Sequence, residues 1–502
     1  MATLSVHTPS PILIAGFALL GICQPLPAQT PTPAPQLATA SDPITGTWTG
    51  SVTAPQGSAE ISFSFLPGQD RKLNVTVTLA LMHTYGAKFG PSLEVADGGY
   101  FFPVLDTHFS LHGDQLTGTF GLGRLPLVLH RGGTPTEEPP VPAYPAAPAS
   151  LWTYSLGSLT WASPVVDGDT VYVGAKDGRF HAVRARDGKG VWVWTGANRI
   201  DGRAAVADDA VCFVDGKIEL VCLNRADGSL RWRFPLHDAR LAGKPAPDNP
   251  TFNRRTATPL IIANTVYCGS SDGGLYAVDV ATGRKIWRAD AKAPVYSGIS
   301  RVDDTTLAFG CMDGSIVTLN RTTGVELRRF KAGGGVVTTP LFAGSRVIAG
   351  SRDYQLYGFN IGDGTVVWKF SYWFSWIEST PVLVDGVLYI GASDYRRVSA
   401  FHPDDGRVIW STDVRGMCWG TPAVTRDTVF IGTAAQNIPG TVIKHTGGLV
   451  ALDRQTGAVK WQLLSPPAPE NSFGGYAGSL ALAGDRVIGA GFEGVLAAWP
   501  AR

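Results

Sequence analysis

The stretch "AVDVATGRKIW", residues 277–287, and the stretch "ALDRQTGAVKW", residues 451–461, carry Ala, Asp, Thr-Gly and Trp at the same offsets, 174 residues apart. Each closes a longer unit that opens on Ser/Thr-Pro, such as "TPLIIANTVYCGSSDGGLYAVDVATGRKIW", residues 258–287. Similar units occupy 163–192, 339–368 and 380–410, with weaker copies at 204–232 and 300–328. A stretched copy runs 421–461 and a truncated one 479–499, which makes eight. The closing position falls at Trp192, Trp232, Trp287, Arg328, Trp368, Trp410 and Trp461, mostly 40 to 42 residues apart, with two longer gaps of 55 and 51. A period near 40 filled only with strand-like segments is the signature of propeller blades. The units alternate β-branched residues and lack the 3.6-residue period of helices, which excludes a helical solenoid.

Turn dipeptides divide each unit into four short strands. Asp167-Gly168, Asp177-Gly178, Asp272-Gly273, Thr282-Gly283 and Asp363-Gly364 are such points, because Gly accepts the positive φ that hairpin turns need. Pro is tolerated at the first residue of a strand, which suits the Ser/Thr-Pro opening. A four-stranded blade cannot bury both faces alone. A large side chain at one fixed place can wedge against the next blade, and a fully buried indole contributes at most about 4–6 kcal/mol. Trp192, Trp232, Trp287, Trp368, Trp410 and Trp461 are therefore read as structural docking residues. The eighth unit stops at Trp499 without a fourth strand, and Ser150–Leu156, containing Trp152, has no unit of its own. That segment is expected to supply the missing strand and close the ring, which removes an open edge.

The A-x-D-x-x-T-G-x-x-x-W phrase resembles the tryptophan-docking repeat of the PQQ-like, quinoprotein alcohol dehydrogenase-like β-propellers, over about residues 150–502. By size it is most similar to the outer-membrane assembly propellers of the BamB type. That resemblance implies an eight-bladed, non-enzymatic scaffold of a bacterial envelope, with envelope proteins as partners and no cofactor. The enzymatic branch would imply PQQ, a Ca²⁺ ion, a catalytic Asp and often adjacent cysteines. No Cys-Cys dipeptide occurs, and no Asp/Asn/Glu set can be placed on those enzymes' metal motif.

Ahead of the repeats, residues 44–132 read as a small β-barrel-like or curved-sheet domain. Alternation is clear in "TVTLAL" and "PLVLH", as in half-buried strands. His108 and His112 share a strand face with Asp106; three such groups can bind a metal, although a solvated polar face is the commoner reason for the pattern. Residues 133–149, with six prolines, read as an extended linker. Residues 1–28 read as a signal peptide followed by a linker over 29–43: the apolar run 11–23 is too short to span a bilayer but suits export. A periplasmic or secreted location follows. Cys23 offers a lipid anchor, against which stands Ile22, where lipoprotein signals want a small residue.

Charged residues make up 17% of the chain and the net charge is +1, without the clustered Lys/Arg of a nucleic-acid footprint. No later stretch approaches 18 apolar residues, so no transmembrane segment is expected after signal removal. Cys212 and Cys222 flank one hairpin and can pair; the simpler expectation is small buried strand residues. No H-E-x-x-H or P-loop appears, so no catalytic residue and no metal ligand is assigned. Propellers place ligands at the channel mouth. The loops entering the innermost strands carry Trp161, Arg203, Arg254, Arg255, Tyr296, Trp376, Glu378, Trp419 and Tyr476, and aromatics with Arg form a recognition surface. The insertions 235–255 and 434–447 are expected on the same face. The expected function is an exported, non-catalytic binding scaffold. The alternatives are a PQQ- and Ca²⁺-dependent dehydrogenase, and carbohydrate or small-ligand capture at the aromatic mouth.

Overall fold

The computed structural model describes residues 35–54, 57–96, 98–121, 125–140, 142–237, 257–373, 375–437 and 446–501. They divide into two compact units, parted between Pro139 and Pro140.

The first unit is one curled antiparallel sheet. Its strands are β1 (Gly46–Ala54), β2 (Gly57–Pro67), β3 (Leu73–Leu79), β4 (Thr84–Phe89), β5 (Glu94–Ala96), β6 (Gly99–Phe102), β7 (Thr107–His112), β8 (Gln115–Phe120) and β9 (Leu125–Arg131), ordered β4-β3-β2-β1-β9-β8-β7-β6-β5. The two edges are bridged by residues 36–40. On one side Ala38 N–H donates to Leu93 C=O, and on the other Leu73 N–H donates to Ala38 C=O. The period-two pattern sends Trp48, Phe63, Phe65, Phe102, Phe109 and Phe120 inward, all buried. Their rings meet mainly edge to face, as in Phe63 and Phe109 at 5.0 Å, the geometry the ring quadrupoles favour. His108 lies stacked on Phe101 at 4.4 Å. Among the described residues no group of three His, Cys, Asp or Glu is placed to hold a metal.

The second unit is an eight-bladed propeller of four-stranded sheets. Blades 1 to 6 occupy 165–195, 205–235, 260–290, 299–331, 341–371 and 382–413. Blade 7 uses 423–437 and 448–464, and its long second strand also pairs with Ser472–Gly475. Blade 8 takes three strands from 481–500 and its outermost strand from β10 (Trp152–Ser155), where Trp152 pairs with Ala498 and Ser155 with Val495. The expected closure by the Trp152 segment is what the structure shows.

Each residue of the opening phrase has its own task. Asp279 Oδ1 accepts hydrogen bonds from the N–H and hydroxyl of Thr282, both at 2.8 Å, which fixes the turn. Gly283 follows at φ +68°, in the left-handed region that favours Gly. Ala277 sits directly across from Trp287, as Ala182, Ala400 and Ala451 face Trp192, Trp410 and Trp461. The indoles then dock forward. The Nε1–H groups of Trp152, Trp192, Trp232, Trp287, Trp368 and Trp410 donate to Ala185, Arg225, Val280, Arg321, Pro403 and Arg454 of the following blade at 2.7–3.1 Å. The turn Gly of that blade is the platform. A Cβ on Gly188, Gly228, Gly283, Gly324, Gly406 or Gly457 would lie 2.5–2.8 Å from the ring. In blade 4, where Arg328 replaces Trp, Phe330 approaches Gly364 instead. Trp461 faces blade 8, whose outer two strands come from distant parts of the chain, and packs into a cluster with Phe430, Tyr476 and Trp499.

Cys212 and Cys222, directly opposed on the second and third strands of blade 2, are disulfide-bonded. This corrects the simpler expectation of two buried thiols: facing positions of adjacent strands bring the two Cβ atoms within bonding reach. Cys268, Cys311 and Cys418 are buried thiols. Residues 145–147 lie along the outermost strand of blade 7, with Gln462 N–H donating to Pro145 C=O and Ala147 N–H to Gln462 C=O. The end of the proline-rich stretch is thus pinned by an isolated parallel bridge, Ala146 to Gln462. Residues 1–34, including Cys23 and the signal segment, lie outside the described residues.

Candidate functional site

The candidate site is the axial channel and the face where outermost strands hand over to the next blade. These connections share one construction. Ile200, Val295, Val336, Ile377, Cys418 and Tyr476 each press on the fifth residue of the second strand, Gly174, Gly269, Gly310, Gly350, Gly391 and Gly432. A Cβ there would lie 2.3–2.8 Å from the plugging side chain. Three residues after the plug comes the position facing the axis: Ser163, Arg203, Thr258, Gly298, Thr339, Thr380, Thr421 and Ser479, all of which line the channel. The hydroxyls at this position stitch neighbouring blades together. Thr380 accepts from Thr339 N–H at 3.1 Å, Ser479 from Thr421 N–H at 2.9 Å, and Ser163 from Ser479 N–H at 2.8 Å. The Ser/Thr of the Ser/Thr-Pro signal therefore forms a belt of contacts between blades.

Inside the belt the channel is a cavity of about 610 Å³, within the range of small-molecule sites. Of the expected mouth residues, Trp161, Arg203, Tyr296, Glu378 and Trp419 line it. Trp376 stands beside it under the guanidinium of Arg352, 4.6 Å from the ring centroid, and Arg352 pairs with Glu378 at 2.9 Å. Tyr476 is elsewhere: it is buried as the plug of its own connection and meets Trp499 edge to face. Arg254 and Arg255 lie outside the described residues, as do most of the insertion 235–255 and residues 438–445 of the other insertion.

Two aromatics join the site without having been singled out. Trp161 stacks on Trp419 at 5.7 Å, and Phe473 and Phe492 meet Trp161 edge to face at 5.2 and 4.7 Å. Phe473 comes from the extra strand paired to blade 7. Phe492 occupies the turn position that holds Lys176 in blade 1 and Arg352 in blade 5, and an aromatic at that polar position was the available signal. Trp419 Nε1–H donates to Ser393 Oγ at 2.6 Å. Next to Ser393, the Asp394 carboxyl is pushed up to about 7 by burial and by the nearby charge of Glu378.

The family described as outer membrane protein assembly factor BamB matches residues 143–285, 271–374 and 374–502. The chain belongs to this family. Among its relatives, BamB of Yersinia pestis is 25% identical over 291 residues, covering 56% of this chain and 70% of that protein. The solved BamB of Moraxella catarrhalis aligns with a TM-score of 0.54 at 17% identity, covering 70% of this chain and 97% of that one. The quinoprotein alcohol dehydrogenase PedH of Pseudomonas putida is 27% identical over 208 residues, which cover 38% of this chain but 29% of the dehydrogenase. The BamB-family repeat thus accounts for the propeller, and its matched segments begin after the first unit.

The donor set does not suit the quinoprotein alternative. Among the described residues each carboxylate lining the channel is engaged by an arginine: Asp167 by Arg225 at 2.5 Å, Asp201 by Arg199 at 2.7 Å and Glu378 by Arg352 at 2.9 Å. PQQ carries three carboxylates, and among the described residues the channel lining offers a single cation, Arg203, without an ion-pair partner. The described residues therefore fit neither a Ca²⁺ cage nor that tricarboxylate.

Proposed function

We propose that this chain is an exported, non-catalytic binding scaffold of a bacterial cell envelope that recognises protein partners with the face around the propeller channel. The observation that carries the reading is the family match over residues 143–502. Relatives in that family bear the name outer membrane protein assembly factor, and that role comes to this chain as a proposal. The face has the composition of a recognition surface, with Trp161, Trp376 and Trp419 beside Arg352 and Arg203, residue types enriched among interface anchors. No helix among the described residues is long and apolar enough to cross a membrane.

Formaldehyde crosslinking in the native host, followed by purification of the tagged full chain, tests this. The expected result is recovery of defined envelope proteins, reduced about tenfold or more by Trp376→Ala, a loss in the range of an interface anchor. Recovery unchanged by that substitution, or by Trp376→Ala combined with Arg352→Ala, overturns the use of this face. A sharp rise in melting temperature on adding PQQ and Ca²⁺ overturns the non-catalytic reading.

A further inference from the structure

Seven of the eight axis-facing positions are Ser, Thr or Gly; the eighth, at the start of blade 2, is Arg203. Its side chain stays open to the water of the channel while protein surrounds it, and burial lowers its pKa below the usual guanidinium range. The three carboxylates of the lining are held by Arg225, Arg199 and Arg352, so the described lining with its partners carries one surplus positive charge, on Arg203. The belt adds polarity of the same sense. A hydroxyl has one proton to donate and two lone pairs. Ser163, Thr380 and Ser479 each spend a lone pair on a neighbour's N–H, which leaves the O–H of each to donate to a ligand. A cavity offering donors and one unmatched cation is complementary to an anion with acceptor oxygens. Trp161, two residues before Ser163 on the adjacent blade, sets an aromatic wall against Trp419 in the same cavity.

We propose that the axial channel binds a ligand with one carboxylate and an apolar ring, the carboxylate paired with Arg203 and the hydroxyl belt, the ring against Trp161 and Trp419. Such a group occurs on a free small aryl acid and on the C-terminal aromatic residue of a peptide. This site stands independently of whether the outer face recruits envelope proteins, since it is read on the purified chain alone.

Isothermal titration of the full chain tests the site with four probes: phenylacetate, phenylacetamide, Gly-Gly-Phe and Gly-Gly-Phe amide. At least one acid is expected to bind, with its neutral amide at least about tenfold weaker, the loss expected when a charge-assisted hydrogen bond is removed. Arg203→Ser, which gives blade 2 the residue found at Ser163, is expected to weaken the acid about tenfold and leave the amide unchanged. Tighter binding of phenylacetate identifies a small acid as the source, and tighter binding of the peptide identifies a chain terminus. Absence of binding by both acids, equal binding of acid and amide, or full affinity in Arg203→Ser overturns the proposal. If Arg203→Ser fails to fold, the acid and amide comparison on the unaltered chain decides.

Discussion

A glycine under an indole is the smallest element of this architecture, and two glycines separate its causes. Gly283 is at φ +68° and a Cβ there would also strike Trp232 at 2.6 Å; Gly344 is at φ +56° with nothing within 4 Å of a Cβ. Gly344→Ala is expected to cost only the conformational strain, about 1 kcal/mol. Gly283→Ala is expected to cost about 2 kcal/mol more, because the indole and its hydrogen bond to Val280 must shift. Urea denaturation of both variants checks this, and equal losses would mean that the glycine is a turn residue and nothing else. The docking roles were legible because each is set within eleven residues. Tyr476 was not, since an aromatic near the mouth looks like a recognition residue. The cue lay three positions on, at Ser479, and across at Gly432: in five other blades the residue in that place is the plug.

Between blades the innermost strands are short, two or three residues each, too short to hold register alone. The hydroxyl belt compensates. Thr380→Val keeps shape but leaves the Thr339 N–H without its acceptor, a loss of about 1–3 kcal/mol. The expected signature is local: faster hydrogen exchange at the Thr339 amide, with the Thr421 amide, held by Ser479, unchanged. Equal acceleration at both would show that the belt acts only through global stability. At this scale the sequence displayed the Ser/Thr-Pro signal and the blade count, because both repeat. It hid what the repeat does not encode. Phe473 reaches the mouth on an added strand after an irregular insertion, and the cystine depends on two strands facing in register. Arg203 was visible as a mouth residue, yet its meaning came from its seven counterparts at the axis.

The ring as a whole is closed at a single junction inside blade 8, where β10 pairs with Val495–Pro500. From that junction Tyr154 on β10 reaches on to His181 of blade 1, with its hydroxyl 3.2 Å from Nδ1. Burial, aided by the charge of Arg179 and opposed by Asp177, pulls the His181 imidazole down to about 4. In the unfolded chain a histidine titrates near 6.5. The folded form therefore prefers the neutral ring, and the resulting stability is present above about pH 6.5 and is lost as pH falls towards 4. His181→Gln is expected to flatten this acid limb in melting temperatures taken from pH 8 to pH 4, while the unaltered chain declines below about 6.5. Parallel declines would place the acid sensitivity elsewhere. The same junction carries a consequence for biosynthesis. β10 is made early, but its partner strand Val495–Pro500 is translated only after every other blade. The nascent chain must carry β10 unmatched through about two thirds of its synthesis, so a ribosome stall inside the last blade yields an arc with two sticky ends instead of a smaller wheel.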